Sequence, residues 1–126
     1  MTPPCRPPVA PDAVFALVPA AATTPLVFAA PHAGDAYPGD MGAAPGLSSR
    51  SLRSAEDRLT DRLAAAGTAY GTPLLAARVG RAYVDLNRAP DDLDPALIDD
   101  VADAPASPRA AAGYGVVPRL AGDGTP

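Results

Sequence analysis

The chain has no lysine, and its 126 residues include a single cysteine, a single histidine and a single glutamate. All ten cationic residues are arginines, and aspartate supplies all but one of the fourteen acids. That bias, with abundant alanine, proline and glycine, reflects a GC-rich genome more than a mechanism. The lone Cys5 sits among prolines, which excludes an internal disulfide and fits a reducing, intracellular setting. No apolar run approaches the roughly 20 residues that span a bilayer. The amino terminus also lacks a basic region followed by a long apolar core. The expectation is a cytoplasmic protein with no membrane partner. A formal net charge of -4 with dispersed arginines forms no continuous basic surface, which argues against nucleic acid as the main partner.

What is present suits one folded domain. Apolar residues make up 48% of the chain, and a domain of this size buries about two-thirds of the surface its unfolded chain exposes. Five prolines before Asp12 mark residues 1–13 as a disordered, proline-rich tail, leaving 14–126 as the α/β domain. Val14 to Val18 reads as a first short strand. Leu26 to Ala30 reads as a buried strand, because Pro25 and Pro31 bound it and proline is tolerated only at a strand's edge or end. The only histidine, His32, therefore follows a strand's carboxyl end, where open α/β sheets bind ligands and where an imidazole can hold a metal or a proton. Gly34 permits a sharp turn beside it.

A long Gly-, Pro- and Ala-rich loop follows from Asp35 to Ser49. Ser54-Ala55-Glu56-Asp57 predicts a helix start, with Ser54 as cap and two acids favouring the positive end of the helix dipole. Leu59, Leu63 and Ala66 recur at helical spacing, and Gly67 is the expected stop. Leu74 to Ala77 and Ala82 to Leu86 read as two more strands divided by Gly80, and Tyr114 to Pro118 as a last one. Pro95 to Ile98 and Ala110 to Ala112 allow single helical turns.

Two carboxylates could join His32 as metal ligands. Asp35 lies three residues on, and Asp57 begins the expected helix; both remain open. Asp61 could support the site or pair with Arg58 or Arg62. In Arg81-Ala82-Tyr83-Val84-Asp85-Leu86-Asn87-Arg88-Ala89-Pro90, Arg88 offers a planar fork that grips a carboxylate, and Asn87 adds a donor and an acceptor beside it. Asp85, in an apolar context, needs a partner, and Arg81 or Arg88 is the natural one.

Pro31-His32-Ala33-Gly34 with Tyr37-Pro38 resembles the opening motif of the N-formylglutamate amidohydrolases, zinc-dependent hydrolases related in fold to the carboxypeptidases. The block from Arg81 to Pro90 is similar to that family's Arg-x-x-Val-Asp-Leu-Asn-Arg-x-Pro signature. Pro108-Arg109 and Gly113-x-Gly115-Val116-Val117-Pro118-Arg119 continue the likeness, which runs from about Leu26 to Arg119. The resemblance implies a mixed or mostly parallel sheet flanked by helices, like the amino-terminal half of a zinc carboxypeptidase-like hydrolase. It implies His32 and Asp57 as Zn2+ ligands, and Asn87, Arg88 and Arg81 as substrate-binding residues. The implied substrate is an N-acylated acidic amino acid, whose amide is attacked by zinc-bound water. In the family a second zinc histidine and a general-base glutamate come from further downstream. Here they are expected beyond Pro126, in a missing carboxyl-terminal half or a complementing chain, so that this chain alone holds an incomplete apparatus. The competing expectation is a non-catalytic α/β module that binds an acidic metabolite or a partner through Asn87-Arg88.

Overall fold

The computed structural model describes residues 13–21, 23–101 and 106–126. The tail expected over 1–13 thus lies, apart from Ala13, outside the described residues. Three short strands form one mixed sheet: β1 (Phe15–Val18), β2 (Phe28–Ala30) and β3 (Leu74–Ala77), in the order β1-β3-β2. β1 runs antiparallel to β3, and β2 runs parallel to it. Pro31 ends β2 and Pro73 precedes β3 as anticipated, but the buried strand expected over Leu26 to Ala30 needs correction: it begins at Phe28, away from Pro25, and Leu26, Val27 and Phe28 are exposed. Beyond the sheet, an isolated parallel bridge joins Ala36 to Val79 and extends the β2-β3 pairing past His32.

The register places Ala16, Val18, Phe28, Ala30, Leu74 and Ala76 on one face of the sheet. The core forms on that face from Ala30, Leu74 and Ala76, with Val18, Ala33, Ala64 and Ala65 packed against it. The last two belong to α2 (Thr60–Ala65), which crosses β2 and β3. Small side chains dominate this contact and let backbones approach closely; a Cβ on Gly67 would stand 2.3 Å from the Phe28 ring. The opposite face leaves Phe15, Leu17 and Leu75 exposed. The expectation of helices flanking the sheet therefore needs correction, because α2 covers a single face.

The expected helix from Ser54 to Gly67 also forms differently. α1 (Ser49–Leu52) starts earlier, capped by Ser48, whose Oγ accepts the Ser51 N–H at 3.0 Å. Ser54 caps nothing; its hydroxyl donates back to the Ser51 carbonyl. Residues 53–59 then form turns because the Asp57 N–H donates to the His32 carbonyl, 2.9 Å away, rather than entering a helix. Leu59 follows in the left-handed region at φ 70, which a bulky side chain adopts at a cost, and α2 begins after it. α2 passes into a 3-10 turn (Ala66–Tyr70) that ends at Gly71, φ 81, instead of at Gly67. Asp57 accordingly lies ahead of any helix, and the first-turn dipole role does not apply to it.

Neither Ala82–Leu86 nor Tyr114–Pro118 is a strand. The first is a turn closed by Tyr83 N–H donating to the Gly80 carbonyl, 2.9 Å, and the two segments meet where Asp85 N–H donates to the Val116 carbonyl, 2.8 Å. α3 (Pro108–Ala111) is a single turn capped by the Ser107 hydroxyl. Gly34 is needed for close approach rather than for a turn, since a Cβ there would stand 2.0 Å from the Val79 carbonyl oxygen. Asp94 is buried and holds Arg119 at 2.8 Å, while also accepting the Ala96 N–H at 2.8 Å. Burial alone would raise its carboxyl, but the Arg119 hydrogen bond, the Ala96 N–H and the Arg119 charge together hold it below the ordinary carboxylate range.

Leu74 is the largest apolar side chain that is fully buried, so it tests the core directly. Leu74→Ala should lower unfolding free energy by about 2–5 kcal/mol, read as a drop in the urea midpoint.

Candidate functional site

Asp85 occupies the centre of a continuous polar chain. Its backbone is fixed by Val116, and its carboxylate, 2% exposed, makes three hydrogen bonds and one longer ion pair. Oδ1 lies 2.9 Å from His32 Nε2 and accepts the Asn87 N–H at 2.9 Å. Oδ2 accepts Arg81 Nε–H at 3.0 Å and faces Arg88 Nη2 at 3.6 Å. The pairing expected for Asp85 with Arg81 or Arg88 involves both arginines, and the imidazole joins them. Burial would raise this carboxyl; the Asn87 N–H, the His32 hydrogen bond and the charges of Arg81 and His32 outweigh it, and the group is held below the usual range.

His32 is buried, with Nδ1 3.2 Å from Asp57 Oδ2. The two carboxylates differ sharply: that of Asp57 is 59% exposed, whereas that of Asp85 is 2% exposed. Each ring nitrogen thus meets a carboxylate oxygen, Nε2 that of Asp85 and Nδ1 that of Asp57. Asp57 is thus the acid that meets His32. Asp35 is exposed and engages Arg78 and Arg53 through its backbone, its N–H donating to the Arg78 carbonyl at 3.2 Å and its carbonyl accepting from Arg53 at 3.2 Å.

Asp57 and Asp85 open onto a cavity of about 360 Å³ that Arg81, Arg88, Arg109, Tyr114 and Ser54 also line. Arg88 is fastened along its length, Nε donating to the Tyr114 carbonyl at 3.1 Å and Nη1 to the Asn87 carbonyl at 2.8 Å. Its Nη2 is buried without a hydrogen-bond partner. That group faces Asp85 Oδ2 at 3.6 Å, an ion pair too long for a hydrogen bond. Asn87 departs from the sequence expectation: it is exposed and outside the cavity lining, and it contributes backbone N–H and carbonyl groups.

The remaining acids near the site serve the scaffold. Glu56 is 3% exposed in its side chain, accepts the Tyr37 hydroxyl at 2.8 Å and pairs with Arg53 at 3.5 Å. Arg53 also stacks over the Tyr37 ring. Burial, then the Glu56 hydrogen bond, push the Tyr37 hydroxyl well above its ordinary pKa. Asp61 accepts the N–H of Arg62 at 2.9 Å and is outside the cavity lining. Sequence reasoning gave Arg109 and Tyr114 no role; Pro108-Arg109 stood out only as part of a motif, because nothing in linear order shows that α3 folds back over Arg88.

A mixed sheet that ends in a carboxylate–imidazole–carboxylate chain, beside a cavity lined by arginines, defines an α/β protein with a polar cleft. The family model for N-formylglutamate amidohydrolase matches residues 24–126, and the chain belongs to that family. The solved structure of N-formylglutamate amidohydrolase from Ralstonia eutropha JMP134 is similar, with 39% identity and a TM-score of 0.70. The likeness covers 82% of this chain and 37% of that one, so the chain spans well under half the length of its solved relative. No curated protein matches the chain. No helix among the described residues is long and apolar enough to cross a membrane.

Because the Asp85 carboxyl is depressed in the folded state, its contribution is complete above the unfolded carboxylate value of about 3.9 and is lost as pH falls through the lower folded value. Asp85→Ala, which leaves His32 and two arginines without their shared acceptor, should cost roughly 3–5 kcal/mol at pH 7. Thermal melts against pH should also show a flatter acid limb for this variant below about pH 4. A wild-type acid limb as shallow as the variant's would disprove the linkage.

Proposed function

We propose that this chain carries the imidazole and arginine portion of a zinc-dependent amidohydrolase site acting on an N-acylated acidic amino acid such as N-formylglutamate. The observation that carries the reading is the linkage of His32, Asp57, Asp85, Arg81 and Arg88 in one polar network, of which all but His32 line one cavity. Family membership supports the reaction class, and the relative from Ralstonia eutropha JMP134 is an N-formylglutamate amidohydrolase by name. The mixed sheet with His32 just past β2 supports a carboxypeptidase-like arrangement as part of the same proposal.

His32 Nδ1 and Asp57 Oδ2, which meet at 3.2 Å, are the donors that would hold the metal. Asp85 would hold the ring from behind by accepting Nε2–H, which fixes the tautomer and strengthens Nδ1 as a donor. Bound zinc supplies a Lewis acid and a water whose pKa is lowered to about 7. Catalytic zinc sites generally use three protein ligands. Among the described residues no group of three His, Cys, Asp or Glu is positioned to hold an ion. The proposal therefore places the remaining ligand and the general base in a carboxyl-terminal segment or a complementing chain. In the cavity, the Arg88 guanidinium would orient the substrate through its α-carboxylate, and Arg81 would stabilise charge developing on the acyl oxygen.

Metal analysis of purified protein should show zinc uptake by wild type and its loss in both His32→Ala and Asp57→Ala. Uptake that survives either substitution would refute the ligand assignment. Calorimetry with N-formylglutamate, with and without zinc, separates this reading from a non-catalytic acid-binding module: the amidohydrolase reading expects tighter binding with the metal, and binding that ignores zinc favours the module.

A further inference from the structure

Glu56 and Asp57 are neighbours in sequence, yet their side chains go to opposite environments. Glu56 is the only glutamate of the chain and its side chain is 3% exposed, whereas that of Asp57 is 59% exposed. An acid so deeply placed needs partners, and Glu56 has two. Its Oε1 accepts the Tyr37 hydroxyl at 2.8 Å and faces Arg53 Nη1 at 3.5 Å. Both partners are themselves fixed. Gly80 leaves room for the Tyr37 ring, since a Cβ there would stand 2.2 Å from it. Arg53 lies over the same ring, 5.6 Å from its centroid, and its Nη2 donates to the Asp35 carbonyl at 3.2 Å. The Gly80 N–H donates to the Ala36 carbonyl at 2.8 Å, so Tyr37 and Gly80 stand beside the Ala36–Val79 bridge that prolongs the sheet. Glu56 is therefore anchored to the braced part of the fold.

Asp57 has far less to hold it. Among the described residues its carboxylate meets a single group, His32 Nδ1 at 3.2 Å. An exposed side chain with one contact keeps much of its rotamer freedom, so the place of its carboxylate depends on where the backbone starts it. That backbone is held from two directions. The Asp57 N–H donates to the His32 carbonyl at 2.9 Å, and one residue earlier the buried Glu56 side chain fixes the course of the turn while the Glu56 N–H donates to the Arg53 carbonyl at 3.1 Å. Metal-binding groups have to be held within roughly 0.5 Å of their working geometry, and the supporting contacts supply that precision.

Resting on the assignment of Asp57 as the acid that meets His32 and zinc, we propose that Glu56 is a positioning residue: seated on Tyr37 and Arg53, it sets the turn from which the Asp57 carboxylate reaches the His32 ring. Glu56 touches neither the ring nor the cavity, and it acts on the site through its neighbour alone.

The single histidine gives a direct reading, because isotopic labelling of histidine nitrogen in the full chain yields one Nδ1 and one Nε2 signal by magnetic resonance. At fixed pH and without metal, Nδ1 reports the contact with Asp57 and Nε2 the contact with Asp85. Asp57→Ala supplies the position of Nδ1 when that contact is lost. Glu56→Ala should move Nδ1 toward that position and leave Nε2 in place, and Glu56→Gln, which still accepts the Tyr37 hydroxyl, should restore most of the wild-type signal. Zinc titration against a competing chelator should show Glu56→Ala weakened by about 10- to 100-fold, as loss of a group that orients a metal ligand implies, with Glu56→Gln close to wild type. A folded Glu56→Ala whose Nδ1 signal stays at the wild-type position overturns the inference even if its melting temperature falls, since that marks a purely structural role. Equal movement of Nδ1 and Nε2 also overturns it, as a general loosening of the site. If Asp57→Ala itself leaves Nδ1 unmoved, the His32–Asp57 contact is absent in solution and the inference falls with it. A wild type that takes up no zinc refutes the zinc reading, and the metal-free signals still decide the role of Glu56. Should Glu56→Ala fail to give a cooperative melt, Tyr37→Phe takes its place: it strips Glu56 of the hydroxyl donor and should move Nδ1 partway, and an unmoved signal there overturns the inference as well.

Discussion

The buried carboxylate of Asp85 is the constraint on which the site depends. An isolated charge at this depth would be costly, and it persists because an imidazole, two arginines and a backbone N–H surround it. Each partner is fixed in turn by the bond it makes. His32 is oriented at the end of β2, Arg81 and Arg88 are drawn to one side of the cavity, and the Asn87 turn closes on Oδ1. The segment carrying Asp85 is held by its N–H bond to the Val116 carbonyl, so the late part of the chain helps to set the position of an imidazole near its beginning.

The sheet supplies the rigid reference for this network. β2 and β3 run parallel, and the Ala36–Val79 bridge continues their pairing past His32, so the imidazole leaves a braced backbone. Gly34 makes that possible by admitting the Val79 carbonyl where any side chain would clash. The core beneath is built of alanine with one fully buried leucine, which gives close packing but modest apolar area. On the other face Phe15, Leu17 and Leu75 stay exposed, so hydrophobic stabilisation comes from one side of the sheet. In so lightly built a domain, the polar chain through Asp85 and the Asp94–Arg119 pair carry much of the definition that a larger core would provide.

Several features were readable in linear order because short-range rules govern them. Pro31 and Pro73 marked strand ends, and the Pro-His-x-Gly and Val-Asp-Leu-Asn-Arg motifs marked the segments that meet through His32 and Asp85. The helix boundaries were not readable. Ser54-Ala55-Glu56-Asp57 has every local mark of a helix start, but the His32 carbonyl captures the Asp57 N–H, and Glu56 turns to Tyr37 and Arg53. Ala82 to Leu86 has strand-like composition, yet its bonds go to Gly80 and Val116 instead of to a neighbouring strand. In both cases a long-range partner outweighed local propensity, which is worth less than one good tertiary hydrogen bond.

The sequence alone determined the candidate groups: one imidazole after a strand, an Asp-Leu-Asn-Arg segment with a guanidinium at its end, and a family likeness across most of the chain. These are properties of residue type and near-neighbour spacing, and they survive without coordinates. Only the tertiary structure decided that Asp57 rather than Asp35 meets His32, that Asp85 stands behind the ring, that the Asn87 side chain stays outside the cavity, and that Arg109 stands inside it. Each of these is a distance between segments far apart in the chain, set by which backbone donors and acceptors find one another when the sheet closes. No local pattern encodes such a distance.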